Sequence, residues 1–227
     1  LTSGNGTNAL TLTADGGTGA AGSITDLAGT TGVKAGLLTT TSNGGTSLTG
    51  SGNAVTSFNA TNAGAGSIAL TNNANLMITG ITQNTGDVTV VNTGTLGTSG
   101  NITTAANGNI ALSSSGAMTI DNPVSSSGTG TVSLTSTADG ITNNSTVTGP
   151  GGITINATTG GFAFTNTGTL TNSAGATNIV INADAITLAG NVVGGTGTVT
   201  LHALTGGVNQ TAGNITATSL ELTGAGT

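Results

Sequence analysis

The ionisable chemistry of this 227-residue chain is confined to nine side chains: Asp15, Asp26, Asp87, Asp121, Asp139, Asp184, Glu221, Lys34 and His202. Seven carboxylates are enough in number for acid–base work on a polysaccharide, and glycoside hydrolysis needs two of them about 5 to 9.5 Å apart. These acids do not recur at one place in the local pattern. Asp87 precedes Val88, Asp121 follows Ile120, and Glu221 lies between Leu220 and Leu222. No catalytic pair is therefore expected, and each acid reads as a solitary turn or solvent-facing group. His202 follows Leu201, so strand alternation turns it outward. A lone His with no Cys and no carboxylate at ligand spacing makes a poor zinc site. The candidate partner of Lys34 is Asp26, but an exposed pair stabilises by less than about 1 kcal/mol. Asp-Gly occurs only at Asp15 and Asp139, too rarely for the calcium-binding repeat of β-rolls. Glycine strings such as Gly194-Gly195-Thr196-Gly197 precede no Lys and open no helix, so they read as corners and not as phosphate loops. No metal and no cofactor is expected.

The scaffold that would hold these groups is unusual in composition. Only 4% of residues are charged, against about 25% in ordinary globular domains. Disordered chains pair low hydrophobicity with high net charge. Here 34% of residues are hydrophobic, mean hydropathy is +0.23, and Ile, Val and Leu come in short regular clusters. Such a chain can fold. Its only aromatics are Phe58, Phe162 and Phe164, which suits a thin core of stacked aliphatics. One Lys and no Arg exclude nucleic acid, whose phosphates must be neutralised, and a polybasic membrane patch. No apolar run approaches the 18 or so residues of a spanning helix, so no membrane insertion is expected. The absence of Cys fits secretion and cytosolic life alike. The chain opens at Leu1 in mid-pattern and shows no signal peptide, which reads as a mature product or a segment of something longer.

Strands of the form apolar-x-apolar recur through most of the chain. Their members are Ile68 with Leu70, Val88 with Val90, Ile110 with Leu112, and Val132 with Leu134. The series continues with Ile153 and Ile155, Ile179 and Ile181, Val199 and Leu201, and Leu220 and Leu222. Successive intervals are 20, 22, 22, 21, 26, 20 and 21 residues. A period of two puts both apolar residues on one face. A second strand follows many of these, as at Leu76 with Ile78, Met118 with Ile120 and Ile186 with Leu188. A third apolar touch then comes at Ile81, Val124 and Val192. Two or three short strands per unit, separated by Gly, Asn, Thr and Ser, describe one coil of a solenoid whose apolar face is buried only by its neighbours. No segment has a 3.6-residue period, so no helix is expected. Pro123 and Pro150 fall between strands, as a sheet requires.

The expected fold is all-β, a parallel β-helix (β-solenoid) with coils of about 20–22 residues, in a single domain over 1–227. Residues 1–62 admit several registers, although Leu10 with Leu12 looks like the same strand type. Residues 63–227 are regular apart from one enlarged coil around 156–178, where Phe162 and Phe164 are expected to fill a wider part of the core. About ten coils at roughly 4.8 Å each give a rod on the order of 50 Å long. Stacked amides form ladders at that spacing, and Asn92, Asn156 and Asn182 are expected to form one near a turn, interrupted at Ser136. Ice binding would require Thr-x-Thr in successive coils. Thr11-Leu12-Thr13 and Thr39-Thr40-Thr41 match, but the residues between the apolar pairs read Ala69, Thr89, Ala111, Ser133, Thr154, Val180, Thr200 and Glu221, too mixed a column. Asn-x-Thr sequences at Asn59, Asn101 and Asn214 match glycosylation acceptors at a frequency that chance explains.

Segments such as Gly66-Ser67-Ile68-Ala69-Leu70-Thr71-Asn72 and Gly108-Asn109-Ile110-Ala111-Leu112-Ser113 resemble the repeats of filamentous-haemagglutinin-like exoproteins. So does Ser23-Ile24-Thr25-Asp26, followed by Val33-Lys34-Ala35-Gly36-Leu37. The resemblance is one of repeat style over the whole chain. The Asn-Pro-Asn motifs of that family's secretion domain have no counterpart here. The resemblance implies a right-handed parallel β-helix on a bacterial surface or in the extracellular space, exported by two-partner secretion. The function expected is a structural rod that stacks end to end with other copies of itself into a filament, with the stalk of a large adhesin as the alternative. A solenoid touching host or abiotic surfaces, polysaccharide or ice is a further one.

Overall fold

The computed structural model describes residues 1–2, 7–16, 21–26, 29, 32–157, 160–172 and 176–225. Among them every regular element is a strand, and all the strands join in one sheet. All pairings are parallel, and the chain winds as a β-solenoid of about nine turns.

Each strand pairs with the one a coil before and the one a coil after, which generates three faces. Face A carries the recurrent apolar pairs. It begins at Ile24–Thr25 and Thr46–Leu48 and continues through Ile68–Asn72, Val88–Asn92, Ile110–Ser114, Val132–Ser136 and Ile153–Ala157. It then takes the first halves of Ile179–Leu188 and Thr198–Gln210, and ends at Ser219–Thr223. Face B includes Leu96–Thr98, Met118–Ile120, Ile141–Asn143 and Ala163–Asn166. Face C includes Ile102–Thr104, Val124–Ser125, Thr146–Thr148, Thr169–Thr171, Asn191–Val193 and Ile215–Thr216. In the early coils faces B and C run on as single strands, Ala9–Ala14, Lys34–Ser42, Ala54–Asn62 and Leu76–Gln83. The register pairs Ile68, Val88, Ile110, Val132, Ile153, Ile179, Val199 and Leu220 in succession.

Alternation decides what goes inside. From Ile68 to Leu201 both members of each face A pair are at most 1% exposed, and full burial of an aliphatic contributes about 1.5–3 kcal/mol. Leu220 and Leu222 differ, at 48% and 53% exposed. They hold the same register, but among the described residues only the coil before them covers them.

The inward residue that ends each face is commonly polar. At the corner from A to B these are Asn72, Asn92, Ser114 and Ser136, and from B to C they are Thr98, Asn143 and Asn166. From C back to A they are Ser42, Asn62, Gln83, Thr104, Ser126 and Asn172, and every one of these corner residues is buried. They satisfy turn carbonyls that the strand ladder cannot reach. Thr104 Oγ1 donates to Gly108 O at 2.7 Å, Ser126 Oγ to Gly130 O at 2.8 Å, and Asn172 Nδ2 to Thr177 O at 2.6 Å. Neighbouring amides also join: Asn72 Nδ2 donates to Asn92 Oδ1 at 2.9 Å and Asn143 Nδ2 to Asn166 Oδ1 at 2.7 Å.

The single ladder expected of Asn92, Asn156 and Asn182 does not form. Asn92 follows its strand's second apolar residue by two places and points inward, beside Asn72. Asn156 and Asn182 follow theirs by one and point outward, bonded to each other at 2.8 Å. One residue of offset reverses the face. Ser136 belongs to the inner column with Asn92 and Ser114.

Close coil contact explains one glycine column. At the corner from C to A, a Cβ on Gly108 would be driven into the Gly86 carbonyl oxygen, and one on Gly130 into that of Gly108. In the enlarged coil Ala163–Asn166 and Thr169–Thr171 keep the register of faces B and C, and residues 158–159 and 173–175 lie outside the described residues. Phe164 is fully buried and pairs with Ile141 and Ile186, while Phe162 is half-buried beside the corner. Leu10 and Leu12 lie on faces B and C and not on an A-type strand, since Leu10 pairs with Leu38 and Leu12 with Thr40.

Candidate functional site

The carboxylates are spread along the rod and act between coils. Asp26 accepts hydrogen bonds from the backbone N–H of Thr49 at 3.0 Å and Gly50 at 2.8 Å, and from Asn53 Nδ2 at 2.8 Å. Its oxygens are so engaged that the suggested pairing with exposed Lys34 is not made among the described residues. Asp87 Oδ1 accepts from Asn109 N at 2.8 Å and Asn109 Nδ2 at 3.0 Å, and Asn109 Oδ1 in turn accepts from Thr131 N and Oγ1. Asp121 accepts from Asn144 Nδ2 at 2.7 Å, and Asn144 accepts from Thr167 Oγ1 at 2.9 Å. Asp139 caps the N–H of Gly140. Glu221 accepts from Thr200 Oγ1 at 3.1 Å. His202 points outward, half-buried, with Nδ1 2.8 Å from Thr223 Oγ1. Asp15 is exposed and Asp184 half-buried. Among the described residues no three His, Cys, Asp or Glu side chains come together as metal ligands. A shallow groove of about 500 Å³ on face B, lined by Met77, Leu96, Gly97 and Thr119 among others, has Asp121 as its one acid.

The outward residues are more regular than the acids. On face A they are mixed, from Ala69 and Val91 to His202 and Glu221. On face B one outward column reads Leu37, Ser57, Met77, Gly97 and then Thr119, Thr142, Thr165 and Thr187. Face C holds the longest uniform column. Thr13, Thr41, Thr61, Thr82, Thr103, Ser125, Thr148, Thr171, Val193 and Thr216 pair in succession through the solenoid. Two places earlier stand Thr11, Thr39, Asn59, Gly80, Asn101, Pro123, Thr146, Thr169, Asn191 and Asn214. No charged residue occurs in either column.

Few of these hydroxyls are engaged within the protein. Thr103 Oγ1 lies 3.4 Å from Ile81 O and Ser125 Oγ 3.5 Å from Ser126 O, both at the limit of a hydrogen bond. Among the described residues Thr41, Thr61, Thr82, Thr148 and Thr171 make no side-chain hydrogen bond within the protein. At the corners, by contrast, Asp, Asn and Thr groups bond across to the next coil. The sequence carries a sign of this column, because an inward aliphatic is followed at once by Thr in Leu12-Thr13, Ile81-Thr82, Ile102-Thr103, Val147-Thr148, Leu170-Thr171 and Ile215-Thr216. The Asn-x-Thr sequences at Asn59, Asn101 and Asn214 fall in these columns too, so the repeat, and not chance alone, generates them. No family model, curated protein or solved structure matches the chain.

Proposed function

We propose that the chain is a structural rod of the extracellular space or bacterial surface, a repeat segment in the style of filamentous-haemagglutinin-like exoproteins that associates end to end with other copies. The observation that carries this reading is the unbroken parallel register of about nine turns. Every coil satisfies its backbone through its neighbours, and buried polar corners lock the turns, so stiffness needs neither disulfides nor a thick core. The end coil of any β-solenoid presents strand edges that another copy can extend. End-to-end stacking through such a surface is a heterologous contact and propagates. Five of the seven carboxylates, those of Asp26, Asp87, Asp121, Asp139 and Glu221, bond an adjacent coil or turn, which supports a role in holding the rod and not in catalysis.

Electron microscopy of the purified protein tests this. Filaments with an axial repeat on the order of 50 Å support end-to-end association, the value following from coil spacing. Discrete rods that stay monomeric at high concentration would overturn it and favour the adhesin-stalk reading.

A further inference from the structure

We propose that face C binds ice. The two columns form an array of hydroxyls and methyls with fixed repeats: about 4.8 Å between coils and about 6.6 Å between alternate residues of a strand. The inter-coil repeat lies near the shorter oxygen spacing on the prism face of hexagonal ice, and the along-strand repeat falls somewhat short of the longer one. Thr-x-Thr occurs at Thr11 and Thr13, Thr39 and Thr41, Thr146 and Thr148, and Thr169 and Thr171. Asn-x-Thr fills the same positions at Asn59, Asn101 and Asn214. Thr is β-branched and stiff about χ1, so its hydroxyl and methyl are held in place before binding, and little order remains to be imposed.

Three observations single out face C and ice. Among the described residues the hydroxyls of Thr41, Thr61, Thr82, Thr148 and Thr171 are unpartnered in the protein, unlike the polar groups of the corners, so their bonds are left for solvent. The two columns carry no charge, and a charged group would hold a hydration shell at odds with a lattice. The array runs along the rod with breaks at Gly80, Pro123 and Val193, so many weak contacts add along one crystal face. Face B carries Thr only from Thr119 onward, its earlier outward positions being Leu37, Ser57, Met77 and Gly97, and face A carries His202 and Glu221. A glycan surface is the other candidate. Sugar rings are commonly gripped by aromatic faces, and here Phe58 and Phe164 are buried in the core and Phe162 stands beside the corner before face B. The inference needs the fold and its register but not end-to-end association, so either can fail alone.

The test is thermal hysteresis of the whole chain, with adsorption of fluorescently labelled protein to a single ice crystal. The parent is expected to hold a gap between melting and freezing and to coat ice. Thr103→Lys with Thr148→Lys on face C is expected to lose more than half of that gap. Thr89→Lys with Thr135→Lys on face A should retain it, with far-UV circular dichroism reporting the fold of both. A parent that freezes like an equal mass of inert protein overturns the inference. So does equal loss in both folded variants, or a parent that ignores ice but sediments with an insoluble crystalline polysaccharide.

Discussion

Thr40 stands at an inward position of face C, between Leu12 and Ala60, in the column that continues with Ile81, Ile102, Val124 and Val147. It is fully buried and its Oγ1 has no hydrogen-bond partner. A buried hydroxyl left unpaired costs about 1–3 kcal/mol. Thr40→Val removes it with almost no change of shape, and both residues prefer β structure and few χ1 rotamers. The expected result is a gain of about 1–2 kcal/mol, the lower part of that range, because the added methyl must fit a packed column. With a urea m-value of about 1–3 kcal/mol per M, the midpoint rises by about 0.5 M or more. Circular dichroism reads the midpoint, and the m-value should not change. Solenoid stability is a sum of local and nearest-neighbour terms, so slowed amide exchange at Thr41 and Thr61 localises the effect. Thr40→Ser keeps the hydroxyl, loses the methyl, and should destabilise. A Thr40→Val protein no more stable than its parent would refute the reasoning, since the hydroxyl would then have a partner or a hydrated site.

Other substitutions probe different parts of the scaffold. Phe164→Ala empties one of the two largest fully buried side-chain volumes, the other being Phe58, and should cost about 3–5 kcal/mol, read by urea titration, with the coils after Asn166 losing exchange protection first. Gly108→Ala drives a Cβ into the backbone oxygen of Gly86, where no flexible side chain can give way. It should cost about 1–3 kcal/mol as overpacking, seen as a lowered thermal midpoint. Asn166→Ala removes the acceptor of Asn143 Nδ2 and a donor to Gly168 O, for a loss of about 1–3 kcal/mol in the same assay. Asp87→Ala should cost far less, because its carboxylate is half exposed and bonds only Asn109.

The regular coils are legible because Ile, Val and Leu fill both inward positions of face A from Ile68 onward, and the aliphatic spacing equals the coil length. Register fades before residue 63 for a physical reason. There Thr46 and Thr40 occupy inward sites, and Ala35 and Ala60 fill others, so the alternation of apolar and polar residues no longer marks which side faces in. Faces B and C also run together as single strands in those coils, which removes the turn signals. The Asn ladder was misplaced because a residue one or two places past an apolar pair is outside or inside by parity alone. The Thr column is hard to see in the sequence because the aliphatic signal is strongest on face A, and Thr11-Leu12-Thr13 and Thr39-Thr40-Thr41 mark face C only in the coils of unclear register. Face C gives one inward aliphatic per coil, and its variable corners blur the period that a sequence reader needs.

The register of face C is the central claim, and it can be measured along the rod. The chain has no Cys, so paired Cys substitutions accept spin labels cleanly. Thr61 and Thr148 lie four coils apart in the column, and Thr61 and Thr216 seven. Electron–electron dipolar spectroscopy on Thr61→Cys/Thr148→Cys and Thr61→Cys/Thr216→Cys is predicted to give narrow distances near about 19 and about 34 Å, from a rise of about 4.8 Å per coil. Distances that are broad, or that do not grow in proportion to the number of coils, would contradict the stacked register and the threonine face built on it.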